Sequence, residues 1–90
     1  MATVLYVEDY DSLRVSMGRN LRARGYGVLL AEDCAKGLGI AKERLPDLVI
    51  TDFNTPGMNG YEMATQLRAN ERTRGIRLKS FCNNRRHEQR

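Results

Sequence analysis

Three carboxylates stand where apolar runs stop. Glu8 and Asp9 follow TVLYV, residues 3–7, and Asp52 follows the run LVIT, residues 48–51. A single acid in such a place is ordinarily a solvated loop residue. Three of them at matching ends of two strand candidates converge on one crevice if those strands are neighbours, because open parallel sheets gather function at the carboxyl ends of their strands. Clustered carboxylates repel one another and attract a cation. With no Cys or His nearby in sequence, all-oxygen ligation suits a hard ion such as Mg²⁺. Mg²⁺ keeps positions open for phosphate oxygens, so the site invites phosphoryl chemistry in which one carboxylate serves as nucleophile.

The elements that must position these acids follow from periodicity. TVLYV reads as a first strand. From Ser12, the apolar residues Leu13, Met17 and Leu21 recur at helical spacing, with Arg14, Arg19 and Arg22 at polar positions, until Gly25 and Gly27 stop the helix. VLLA, residues 28–31, is a second strand. A weaker helix spans about Ala35 to Arg44 with Leu38, Ala41 and Leu45 on one side. Gly37 and Gly39 within it cost roughly 1 kcal/mol each relative to alanine. Pro46 closes that helix, and DLVIT, residues 47–51, is a third strand. The loop of Pro56, Gly57 and Gly60 follows, Gly57 permitting a positive φ. Tyr61, Met63, Ala64 and Leu67 then mark another amphipathic helix to about Asn70. Strands alternating with helices across short turns predict parallel βαβ units wound right-handedly.

Ninety residues allow one domain with a small core. Hydrophobic residues at 41% and charged residues at 29% are an ordinary globular mix. No apolar run approaches the ~20 residues of a membrane span, and MATVLYVED lacks the features of a signal peptide. Cys34 and Cys82 therefore read as free thiols, and the cytoplasm is the expected compartment. The net charge of +4 has a local origin. Residues 75–90 hold five cations, Arg77, Lys79, Arg85, Arg86 and Arg90, against Glu88, so residues 1–74 are neutral. A short basic end without interleaved aromatics reads as a solvated terminus, which argues against nucleic acid as a partner.

VLYVEDYDSLR, PDLVITDFNTPGMNGYE and LRANERTRGI together resemble the receiver domain of two-component response regulators, from about Thr3 to Ile76. The resemblance implies an α/β, flavodoxin-like, doubly wound parallel sheet of five βα units in strand order 2-1-3-4-5. It implies that Asp52 is the phosphoacceptor, supplied by a sensor histidine kinase or phosphotransfer protein. It also implies that Glu8, Asp9 and Asp52 hold Mg²⁺ with the backbone carbonyl of Asn54. Tyr10, after the acidic pair, reads as a lid or packing residue.

The pattern breaks after Ile76, which divides the chain into a receiver part, residues 1–76, and a divergent basic tail, residues 77–90. The family continues with a fourth apolar strand ending in Ser or Thr, then a fifth strand ending in Lys and a last helix. RLKSFCNNRRHEQR places Cys82 near the hydroxyl position, with Ser80 beside it, and Lys79 comes too early to be the lysine. So abrupt a change is the expectation of a frameshift or a truncated gene. The predicted fold is accordingly incomplete: three βα units and a possible fourth strand. Part of the Leu13, Met17 and Leu21 face and one flank of LVIT should then meet water. That favours self-association through the incompletely covered sheet.

Two other readings use the same residues. A haloacid-dehalogenase-type phosphatase also places an Asp at a strand end, but it needs a second acid two residues on, where this chain has Asn54. The expectation is that the chain is not an enzyme. The other reading is a receiver-like interaction module that is never phosphorylated, which the intact Glu8, Asp9 and Asp52 oppose and the divergent tail favours.

Overall fold

The computed structural model describes residues 1–52 and 57–81, with the backbone alone for Asp52 and Phe81. In chain order the elements are β1 (Thr3–Val7), α1 (Asp11–Ala23), β2 (Gly27–Ala31), α2 (Cys34–Arg44), β3 (Leu48–Asp52), α3 (Gly60–Ala69) and β4 (Arg77–Phe81). The four strands form one parallel sheet in the order β2-β1-β3-β4. This is the flavodoxin-like α/β arrangement expected from the sequence.

Helix ends follow local chemistry. Gly25 turns the chain after α1 with φ of 93°, and its N–H donates to the Arg22 carbonyl. Asp33 caps α2 by accepting from the Lys36 N–H at 2.7 Å. Asn59 and Glu62 form a reciprocal capping box on α3. Gly57 takes the positive φ of 77° that the sequence allowed it.

The two faces of the sheet are covered unequally. Side chains alternate along each strand, and parallel partners in register share a face. Leu5, Val7, Ala31 and Val49 point toward α2 and α3, where Cys34, Leu38, Ala41, Met63 and Leu67 complete a buried cluster with Ile76. Val4, Tyr6, Leu30 and Ile50 point the other way, toward α1. Gly37 has a specific place in this packing. A Cβ there would lie 2.8 Å from Val7 Cγ2 and 3.2 Å from Met63 Cε, so the absent side chain is what lets α2 approach β1 and α3 so closely. The helix-propensity cost of Gly37 is offset by that approach. Nothing lies within 4 Å of the corresponding position at Gly39, which carries the cost without this compensation.

Two expectations are corrected here. Leu45 does not join Leu38 and Ala41 on the buried side; it caps α2 in the left-handed region (φ 50°) and is 42% exposed. Its position beyond the last helical residue takes it off the helical stripe. The flank of LVIT is also not bare, because β4 pairs with β3 from Leu48↔Arg77 to Asp52↔Phe81. β4 lies in the segment that reads by composition as tail. Alternation explains it: Leu78 packs against the core cluster while Arg77 and Lys79 take the opposite face. A strand covered on one side needs only that alternate position to be apolar. Of the α1 residues expected to meet water, Met17 is 37% exposed and Leu13 and Leu21 are half-buried.

Candidate functional site

Pairing of β1 with β3 in the register Val7↔Thr51 brings the ends of the two strands together. The residue after Val7 is Glu8 and the residue after Thr51 is Asp52, so the two acids leave adjacent strands side by side at the carboxyl edge of the sheet. The backbone N–H of Glu8 donates to the Ala31 carbonyl at 3.0 Å, continuing the ladder to β2 one residue past β1. The Glu8 side chain is consequently drawn in and is 0% exposed. A buried carboxylate needs compensating donors, and the Tyr10 N–H supplies one to Glu8 Oε2 at 3.1 Å. Asp9, next along the loop, is half-buried.

Arg14 is the residue that sequence reasoning missed. It reads by spacing as polar filler on α1, yet its side chain reaches back to the acidic loop. Nη1 donates to the Glu8 carbonyl at 2.9 Å, and Nη2 contacts Asp11 Oδ1 at 2.5 Å. The Arg14 side chain is only 17% exposed, whereas that of Asp11 is 83% exposed. The guanidinium therefore fastens the β1–α1 loop to the first turns of α1. α1 has no side-chain cap of its own, Tyr10 standing at that position. The available signal was a cation within two helical turns of an acidic pair, a weak one because α1 carries several arginines. Across the sheet, at the start of α2, Cys34 Sγ lies 3.3 Å from Thr51 Oγ1, both buried.

The donor set fits a hard divalent ion. Glu8 and Asp9 offer only oxygen, and the cysteine nearby already faces a hydroxyl. Among the described residues no group of three Asp, Glu, His or Cys is assembled. Asp52 would be the third carboxylate, and its side chain, like Asn54 and Pro56, lies outside the described residues, as does Cys82. Ser80 is described: it is exposed on β4 and pairs with Thr51. No helix among the described residues is long and apolar enough to cross a membrane.

Comparisons with known proteins agree with this geometry. The response regulator receiver domain family matches residues 4–85. Protein PilH of Pseudomonas aeruginosa is 33% identical over 76 residues, which are 84% of this chain and 63% of that protein. The transcriptional regulatory protein AfsQ1 of Streptomyces coelicolor is 32% identical over 68 residues, 76% of this chain and 30% of that protein. The chain thus spans about a third to two thirds of these relatives' lengths. The chemotaxis protein CheY4 of Vibrio cholerae superposes with a TM-score of 0.84 at 28% identity, covering 98% of this chain and 77% of that one. By sequence and by fold, the chain belongs to the response regulator receiver domain family of two-component signalling.

Proposed function

We propose that the chain accepts a phosphoryl group on Asp52 from a histidine kinase or phosphotransfer protein and acts as a receiver, not as a turnover enzyme. The observation that carries this reading is the β1–β3 register, which sets the acidic end of β1 beside Asp52. In the transfer, an Asp52 carboxylate oxygen attacks phosphorus in line. The new O–P bond forms as the N–P bond of the donor phosphohistidine breaks, and the imidazole leaves with the electron pair. Mg²⁺ held by Glu8, Asp9 and Asp52, with the Asn54 carbonyl, would offset charge on the phosphoryl oxygens. Glu8 is preorganised for this by burial and by the Tyr10 N–H. Arg14 keeps the loop that carries Glu8 and Asp9 in place. A chain with these groups in the cytoplasm would meet its donor there.

Incubation with a small phosphodonor and Mg²⁺, followed by mass spectrometry of the peptides, tests the assignment. One phosphoryl group is expected, on the peptide containing Asp52, and it should vanish in Asp52→Asn and on removal of Mg²⁺. Equal labelling of Asp52→Asn would overturn the acceptor. No labelling of the parent at any Mg²⁺ concentration would favour the unphosphorylated interaction module.

A further inference from the structure

Among the cations of α1, Arg14 is set apart by its surroundings. Arg19 and Arg22 on the same helix are exposed, whereas the Arg14 side chain is only 17% exposed and lies against the loop that carries the acidic pair. Its partner Asp11 is exposed, and an ion pair of that kind repays little of the entropy lost in holding a long side chain still. The contact that accounts for the burial is the other one, from Arg14 Nη1 to the Glu8 carbonyl at 2.9 Å. Just past the end of its strand, that carbonyl takes a donor from a side chain.

Three bonds close a ring over residues 8–14. Arg14 donates from Nη1 to the Glu8 carbonyl, and from its backbone N–H to the Tyr10 carbonyl at 2.9 Å, where α1 begins. The Tyr10 N–H donates to Glu8 Oε2 at 3.1 Å. Residue 14 thus holds residues 8 and 10, and residue 10 holds the carboxylate of residue 8. Asp9 is the one residue between those two points, so the ring restrains its backbone as well. Ordering loop residues opposes binding, and a site ordered beforehand loses none of its affinity to that step.

On the reading that Mg²⁺ binds Glu8, Asp9 and Asp52, we infer that Arg14 is a positioning residue for that site. It holds the Glu8–Asp9–Tyr10 turn in its binding shape before the ion arrives, with Asp11 as its anchor. Charge alone points the other way, because a guanidinium beside an acidic site repels a cation. Asp11 reduces that penalty: its carboxylate contacts Nη2 and offsets the charge, while the Nη1 bond to the loop remains. Positioning and repulsion therefore predict opposite signs for the removal of Arg14. Groups that orient metal ligands from behind are typically worth 10–100-fold in affinity, which favours positioning over a charge already paired with a carboxylate.

Calorimetric Mg²⁺ titrations of the full chain read the sign. Arg14→Ala is expected to weaken Mg²⁺ about tenfold, the lower end of that range. Arg14→Lys keeps the charge and loses the planar fork, so it should weaken Mg²⁺ too, by less than Arg14→Ala. Melting without Mg²⁺ checks that both variants fold. In the same metal-free samples, amide exchange should show the Tyr10 N–H losing protection in Arg14→Ala. Affinity in Arg14→Ala equal to the parent's, or tighter, would overturn the inference and leave the Mg²⁺ site standing. Unchanged protection of Tyr10 would overturn it as well. Where Arg14→Ala fails to fold, Arg14→Lys decides alone, and parent-like affinity in it counts against the role. A parent that takes up no Mg²⁺ would instead sink the metal reading, and this inference with it.

Discussion

The two faces of one sheet are built to different standards. Toward α2 and α3, large apolar residues close on each other with a glycine at the tightest approach, and Leu5, Val7, Val49, Met63 and Leu67 are fully buried. Toward α1, Leu13, Leu21, Leu30 and Ile50 remain partly exposed and a groove runs along the helix. β2 and β3 thus contribute differently on their two sides, whereas β1 at the centre is buried on both, Val4 and Tyr6 included. Stability resides chiefly in the α2–α3 face, and the α1 face carries the helix whose Arg14 holds the acidic loop.

Substitutions on the two faces should separate accordingly. Leu67→Ala, on the covered face, is expected to cost about 3 kcal/mol, within the range for buried leucine truncations, as read by urea denaturation. A loss under about 1 kcal/mol would break the comparison. Asn59→Ala should cost about 1 kcal/mol, because it removes the cap that holds the start of α3 on that face. The same change with Glu62→Ala added should cost little more, since the two side chains act as one box. Met17→Ala, on the open face, should lower stability by less than about 1 kcal/mol, as it surrenders only part of a side chain's burial. A cost matching that of Leu67→Ala would mean that the α1 face is sealed after all.

Most of the fold was legible in the sequence because both of its periods are clean. TVLYV, VLLA and LVIT are continuous apolar runs, as strands buried on both faces require. Leu38, Ala41, Met63 and Leu67 recur at helical spacing. β4 was the hard case. Its composition is basic, and only Leu78 of Arg77–Ser80 is apolar, so a strand with one covered side reads as solvated chain. Leu45 erred in the other direction, an apolar residue in helical phase that falls one step past the helix. The strand ends that carry Glu8, Asp9 and Asp52 were visible because each follows an apolar run. Arg14 was not, because its role rests on a side chain folding back along the helix, and spacing alone gives that no signature. Gly37 was seen only as a local cost, since its compensation comes from Val7, thirty residues earlier, and from Met63.

The contact at Gly37 makes the history of a substitution matter. Alanine there, introduced into the present chain, must displace Val7 Cγ2 as well as the flexible end of Met63. If Val7 were first shortened to alanine, the nearest obstacle would be gone, and the same methyl group would help fill the space just vacated. Each change alone is expected to destabilise, one by crowding and the other by leaving a void, while the pair partly cancels. Positions 7 and 37 are therefore not free to drift independently. A lineage carrying this fold would change them together or keep the glycine, and the sign of the effect at one site would depend on which residue already occupied the other.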